Sequence, residues 1–207
     1  MDSIALILFA FFCGSLPFSV WAGKFLLNRD VRQIGDGNPG AVNVFKTGNK
    51  LAGLFVLILD ISKAAAPVGL AYFNLNMGGA PMYLVAIAPV LGHVFSPFLG
   101  FKGGKGIATT LGVWIGLTLW KVPLAGVTAA VIGNALFMPP GWAVMLALAA
   151  MLAVLVTWMP DPLLLLVWLS LALILAWTHR SDLRSGLHLR PWLARTLRRT
   201  RSKDSHG

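Results

Sequence analysis

Residues 81–120, "PMYLVAIAPVLGHVFSPFLGFKGGKGIATTLGVWIGLTLW", place two apolar runs around a knuckle with four glycines and two lysines within residues 100–106. Glycine loosens a backbone, and lysine beside an apolar segment seeks water or an anion. A nucleotide-binding P-loop is excluded by spacing. It needs Gly, four residues, then Gly-Lys-Ser/Thr, but Leu99 stands five before Gly104, and Gly106 follows Lys105. A different anion-directed turn is expected. The backbone N–H groups of Gly103, Gly104 and Gly106 converge at the start of an apolar helix, "IATTLGVW". Lys102 and Lys105 add charge, and the hydroxyls of Thr109 and Thr110 can donate from the first turn. Such a helix start favours phosphate.

The apolar runs extend through the whole chain. Of 207 residues, 57% are hydrophobic and 12% charged, with a mean hydropathy of +0.77. Soluble domains carry roughly a quarter charged residues, so the composition indicates an all-α integral membrane protein. Spans of about 20 apolar residues are needed to cross a bilayer. The candidates are 4–27, 51–73, 81–99, 107–120, 122–137, 142–158 and 162–178, making a bundle of about seven transmembrane helices. One domain over residues 1–188 is expected, followed by a basic tail, 189–207. "MDSIALILF" lacks a positive leader and reads as a retained helix.

Net charge is +10, from 17 Lys and Arg against seven Asp and no Glu. If all seven runs cross, fifteen of the cations fall on one face, Lys121 alone falls on the other, and Lys63 lies within a span. That bias places the N-terminus outside and the C-terminus in the cytoplasm. A membrane crossed several times is implied. The tail suits anionic lipid head groups. Aromatics do not interleave with the charges, so nucleic acid is not an expected partner. Cys13 is alone, and no His/Cys cluster has metal-ligand spacing, so no metal is expected.

Two more motifs share the basic face. "GDGNPGAVNVFK" (35–46) breaks helix at its glycines and Pro39, and then inserts Asn43 and Lys46 into an apolar pattern that a bare turn would not need. "THRSDL" (178–183) puts His179 and Asp182 three apart, on one side of a helical turn. Within the spans, Asp60 and Lys63 at i, i+3 read as an internal ion pair, and His93 as a hydrogen-bonding residue of the bundle.

Together, "GSLPF", "GDGNPGAVNVFKTGNKLAG", "LDISKAAAPV", "LGHVFSPFLGFKGGKGIAT" and, more weakly, "HRSDL" resemble the bacterial acyl-phosphate:glycerol-3-phosphate acyltransferases (the PlsY family). Residues 113–175 match only in being hydrophobic. The resemblance implies a seven-helix membrane enzyme with its N-terminus outside. It implies transfer of a fatty acyl group from acyl phosphate to the 1-hydroxyl of glycerol 3-phosphate, an early step of phospholipid synthesis. No cofactor is implied, because an acyl phosphate is already activated. His179, Asp182 and Lys105 take the catalytic positions. Asp36, Gly37, Asn38, Gly40, Asn43, Lys46, Lys102, Gly103, Gly104, Gly106 and Thr109 take the substrate-binding ones. Where the family has Ser, Arg and Asn, this chain has Asp36, Lys46 and Asp182. Asp36 is expected to pair with Lys46 or Arg32. Another polyol or polyol phosphate as acceptor, or a non-enzymatic protein that binds or transports phosphate or lipid intermediates, stays open at this point.

Overall fold

The computed structural model describes residues 2–193; the expected tail lies outside them from residue 194 on. Ten helices are present among the described residues: α1 (Ser3–Ser15), α2 (Phe18–Leu27), α3 (Ala41–Lys46), α4 (Lys50–Gly69), α5 (Gly79–Val94), α6 (Ile107–Thr118), α7 (Lys121–Leu136), α8 (Gly141–Trp158), α9 (Pro162–Thr178) and α10 (Arg180–Arg184). A two-residue pair, β1 (Phe137–Met138) with β2 (His188–Leu189), ties the end of α7 to the chain after α10.

Four stretches are long and apolar enough to cross a membrane: Ser3–Leu27, Lys50–Asn74, Gly79–Leu99 and Gly141–Trp158. Helices α6, α7 and α9 are apolar but shorter. The first stretch corrects the expectation of one continuous helix. Pro17 lacks an N–H and pushes Leu16 out of the helical region (ψ 121°), so the run splits into α1 and α2.

Helices approach closely where glycine leaves no side chain in the way, as apolar solvent demands of packing without a hydrophobic drive. A Cβ on Gly92 of α5 would strike the Phe11 carbonyl of α1, and one on Gly112 of α6 would strike the Ile61 carbonyl of α4. Between these helices Trp114, Leu6, Met82 and Val85 are wholly buried. Outward, Ile4, Phe25, Leu51, Val131 and Leu173 are more than 60% exposed. An apolar exterior on this scale is unstable in water and suits a lipid surround.

Candidate active site

All three basic-face motifs border one open cavity of about 560 Å³, walled by the 36–39 loop, the 102–105 knuckle and the end of α9. Sequence spacing alone brought none of these together, since they lie more than sixty residues apart in the chain.

The first wall is built by local hydrogen bonds. Asp30 caps a 3-10 turn at Val31–Gln33 by accepting from the Arg32 amide. Its ion pair with Arg32, at 2.7 Å, holds the Asp30 carboxyl down at about 2, below the usual carboxylate range. Arg32 is therefore engaged by Asp30 and does not pair with Asp36. Gly35 and Gly37 take φ of 62° and 74°, where a Cβ is strained, and turn the chain so that Asp36 faces the knuckle. Asn43, 1% exposed, donates to Asp36 Oδ1 at 3.0 Å and to the Asn38 carbonyl at 2.9 Å. Asn43 therefore braces the loop rather than lining the cavity. Gly40 starts α3. Lys46 is exposed, lies over Gly35, and makes no ion pair or hydrogen bond among the described residues.

Asp36 pairs with Lys105 instead, Oδ2 to Nζ at 3.0 Å, which corrects the expected partners. The reason is reach: the 35–37 turn points its carboxylate across the cavity mouth. Burial pushes this carboxyl up, but the Lys105 hydrogen bond and charge, with the Asn38 and Asn43 donors, outweigh it and leave its pKa lowered. Lys105 also lies 3.9 Å from Asp182. Asp182 accepts from the Gly141 amide at the start of α8, at 3.1 Å. One lysine is thus held between two carboxylates at the rim of the cavity.

The knuckle differs from its expected form. The amides of Gly103 and Gly104 donate to the carbonyls of Val94 and His93, at 3.0 and 3.1 Å. They are spent inside the protein and do not face an anion. These two glycines serve close approach, since a Cβ on Gly103 would strike the His93 carbonyl, and one on Gly104 the His93 ring. The open amides lie one step further on. Among the described residues, no hydrogen bond takes the N–H of Lys105, Gly106, Ile107, Ala108 or Thr109. Gly106, at φ 87°, begins α6 without a side-chain cap. This is an uncapped helix N-terminus with its positive end free. The threonine hydroxyls do not join it: Thr109 and Thr110 point into the bundle, buried and without partners, because the first turn of α6 faces them away from the cavity.

The third wall is formed by Trp177, Thr178 and Arg180, and His179 sits between the last two, 1% exposed and not itself lining the cavity. Its Nδ1–H donates to the Leu175 carbonyl at 2.9 Å, so the neutral ring keeps its lone pair on Nε2. Burial, the largest influence, pushes its pKa down. Lys105 acts the same way, while the Leu175 carbonyl, Asp182 and Asp36 oppose. Thr178 Oγ1 donates to the Lys105 carbonyl at 3.0 Å, fastening α9 to the knuckle. Sequence reasoning missed Thr178, and also Arg32 and Arg180 as cavity walls. Arg180 stacks on Trp177, 4.7 Å from guanidinium to ring. Its adjacency to His179 was the available signal.

Comparison with known proteins places this arrangement. Residues 4–188 match the family described as glycerol-3-phosphate acyltransferase. A protein of that name from Anaeromyxobacter sp. (strain Fw109-5) is 42% identical over 130 residues, 60% of this chain and 63% of the relative. One from Jannaschia sp. (strain CCS1) is 42% identical over 142 residues, 69% of this chain and 68% of the relative. The chain thus spans about three-fifths of the length of the first of these relatives. The crystal structure of PlsY (YgiH), an integral membrane glycerol 3-phosphate acyltransferase, in its glycerol 3-phosphate form is similar with a TM-score of 0.81 and 28% identity. That match covers 93% of this chain and 97% of that one. Its lysophosphatidic acid form matches at 0.79 and 27%, over 88% and 90%. On the match over residues 4–188, this chain belongs to the glycerol-3-phosphate acyltransferase family.

Proposed function

We propose that the protein is a membrane acyltransferase that moves a fatty acyl group from acyl phosphate to the 1-hydroxyl of glycerol 3-phosphate, releasing lysophosphatidate and inorganic phosphate. The observation that carries this reading is Lys105 at the rim of a cavity also lined by Arg32, Lys102 and Arg180, with the free amides of residues 105–109 running from it into the start of α6. Both substrates carry phosphate, and such a site binds it. In this reading all seven apolar helices cross a bacterial inner membrane, with the N-terminus outside and the cavity at the cytoplasmic face. Residues 1–188 form one domain and the basic tail lies at the lipid surface.

The chemistry asks for positioning more than activation. The acceptor hydroxyl attacks the acyl carbonyl carbon, an ester C–O bond forms, and the bond from that carbon to the phosphate oxygen breaks. The leaving phosphate departs with the electron pair, and the α6 amides and Lys105 stabilise its charge. His179 Nε2, unprotonated at neutral pH, accepts the hydroxyl proton and passes it to the phosphate. Lys46 and Lys102 hold the second phosphate. An apolar crevice between α6, α7 and α8, lined by Leu111, Val127 and Leu148, gives the acyl chain a wall. The test is purified protein with acyl phosphate and labelled glycerol 3-phosphate. Lysophosphatidate above an empty-membrane control is expected, and its absence overturns the proposal.

A second reading is favoured by one observation, the Asp36 carboxylate at the cavity mouth. It keeps the donor and changes the acceptor to a polyol whose hydroxyl Asp36 accepts. A screen of polyols and polyol phosphates separates the two.

A further inference from the structure

Behind the knuckle lies a cluster of titratable groups that the acyl transfer above does not use. Lys63 on α4 sits with its ammonium 2.6 Å from Asp60 Oδ1, and both side chains are at most 3% exposed. The same nitrogen donates to the Leu16 carbonyl at 3.0 Å and lies 2.9 Å from His93 Nδ1 on α5. Each contact has a structural origin. The Leu16 carbonyl is freed by the Pro17 break between α1 and α2. Asp60 stands one helical turn before Lys63. His93 comes from the last turn of α5, which the short 3-10 turn Pro97–Leu99 separates from the knuckle.

An ammonium has three protons, and this one has three acceptors. Lys63 therefore donates to His93 Nδ1, which must carry a lone pair, and the ring proton goes to Nε2. That nitrogen faces Gly104, at the spot where a side chain on Gly104 would stand, with the Pro39 carbonyl of the first loop on the other side. The His93 carbonyl meanwhile accepts the Gly104 amide. Residue 93 thus grips the knuckle by backbone and ring together, one residue before the free amides begin.

We propose that Asp60, Lys63 and His93 form a positioning relay for the phosphate-binding turn. The buried ion pair fixes the His93 tautomer, and the ring sets the height of Gly104, which places Lys105 at the cavity and the free amides that follow it. The relay touches no substrate and acts through the turn, as outer groups orient the ligands of a metal site. It rests on the phosphate-site reading given above.

Two measurements test it. In protein labelled with ¹⁵N-histidine, with the His93 signals assigned by their loss in His93→Phe or by distance to Lys63, the unmodified chain should show a neutral Nε2–H ring at position 93. An Nδ1–H or doubly protonated ring overturns the relay, whether or not any variant folds. In kinetics, His93→Phe keeps the ring volume and loses both nitrogens. It should raise the KM for acyl phosphate about tenfold while kcat changes less than about threefold. His93→Gln, which retains one acceptor and one donor, should restore most of that KM at an unchanged melting temperature. An unaltered KM in His93→Phe, or His93→Gln as impaired as His93→Phe, sinks the proposal. Failure of the unmodified protein to transfer acyl groups removes the phosphate-site reading instead and leaves the tautomer result standing.

Discussion

The loop at residues 35–40 and the knuckle at residues 100–106 are both rich in glycine and both border the cavity, yet Gly37 in the first and Gly104 in the second serve different needs. In the first, Gly37 has φ 74° and a single near neighbour, the Arg32 carbonyl 3.3 Å from a built Cβ, which has to give only a few tenths of an ångström. Glycine there supplies a backbone angle, and side chains (Asp36, Asn38, Asn43) supply the contacts. In the second, Gly104 has an ordinary backbone angle and no room at all, with the His93 ring and the Pro39 carbonyl at its absent side chain. Glycine there permits contact, and the backbone of the following residues carries the free N–H groups proposed to meet an anion. A loop that needs an angle tolerates substitution at a cost. A loop that needs contact does not.

The sharpest way to break this comparison is to put the same methyl group in both places. Gly104→Ala must displace either the His93 ring or the first loop, and acyl transfer should fall to below about 1% of the unmodified rate, as misplacement of a binding group by an ångström allows. Gly37→Ala strains one backbone angle by about 1–2 kcal/mol. It should leave at least about a tenth of the activity with a lowered melting temperature. Equal losses in steady-state assays would show that the two loops use glycine alike.

The second test removes the charge beside the free amides. Lys105→Ala should lower kcat/KM by about 10- to 100-fold, the worth of a charged hydrogen bond at a phosphate. Lys121→Ala, at the start of α7 and away from the cavity, should stay within about twofold of the unmodified protein. Comparable effects would make the knuckle a structural turn and nothing more.

These outcomes bear on how much the sequence disclosed. Apolar run lengths placed the helices well, because a bilayer leaves the backbone few other ways to satisfy its polar groups. They missed the split at Pro17, because average hydropathy is blind to one absent N–H. The glycines and lysines were legible as residue types suited to phosphate, and His179 as a residue on the same side of a turn as Asp182. Their pairing was not legible. The partner of Asp36 depended on a turn reaching Lys105 from 69 positions away, and local spacing offered Arg32 and Lys46 first. Of the three expected amides only that of Gly106 is free, since nothing in "KGGKG" says that the end of α5 will consume those of Gly103 and Gly104. Arg180 and Thr178 were hidden by the longer-range fact that α9 ends on the knuckle.

A third test uses pH. His179 has its pKa lowered, chiefly by burial, so its neutral form persists below the ordinary histidine value of about 6.5. As the proton acceptor it loses function only when charged. The acid limb of kcat should therefore fall below about pH 6.5 and be absent in the residual activity of His179→Gln. The titration of the phosphate substrates is common to both proteins and cancels in the ratio. A limb at or above pH 6.5 would show that the buried position does not hold the ring neutral.

The smallest expected effect concerns Asp36. Its side chain is 47% exposed and that of Lys105 28%, so their pair resembles a surface ion pair, worth about 0–1 kcal/mol. In the proposed reading the carboxylate occupies the cation that the leaving phosphate engages, and each phosphate that binds has to displace it. Asp36→Ser should accordingly lower the KM for acyl phosphate by about two- to fivefold, with little change in kcat. The same substitution separates the two acceptor readings. If Asp36 acts only by competing for Lys105, inhibition by inorganic phosphate should tighten by the same factor, because any phosphate gains the freed ammonium. If Asp36 instead accepts a hydroxyl of another acceptor, phosphate inhibition should stay unchanged and use of that acceptor should collapse, since a site built around a hydrogen bond loses most when one partner is deleted. The 3.0 Å contact with Lys105 and the supporting donors from Asn38 and Asn43 leave that carboxylate already satisfied, which favours competition. A KM gain confined to glycerol 3-phosphate, with unchanged phosphate inhibition, would reverse that preference.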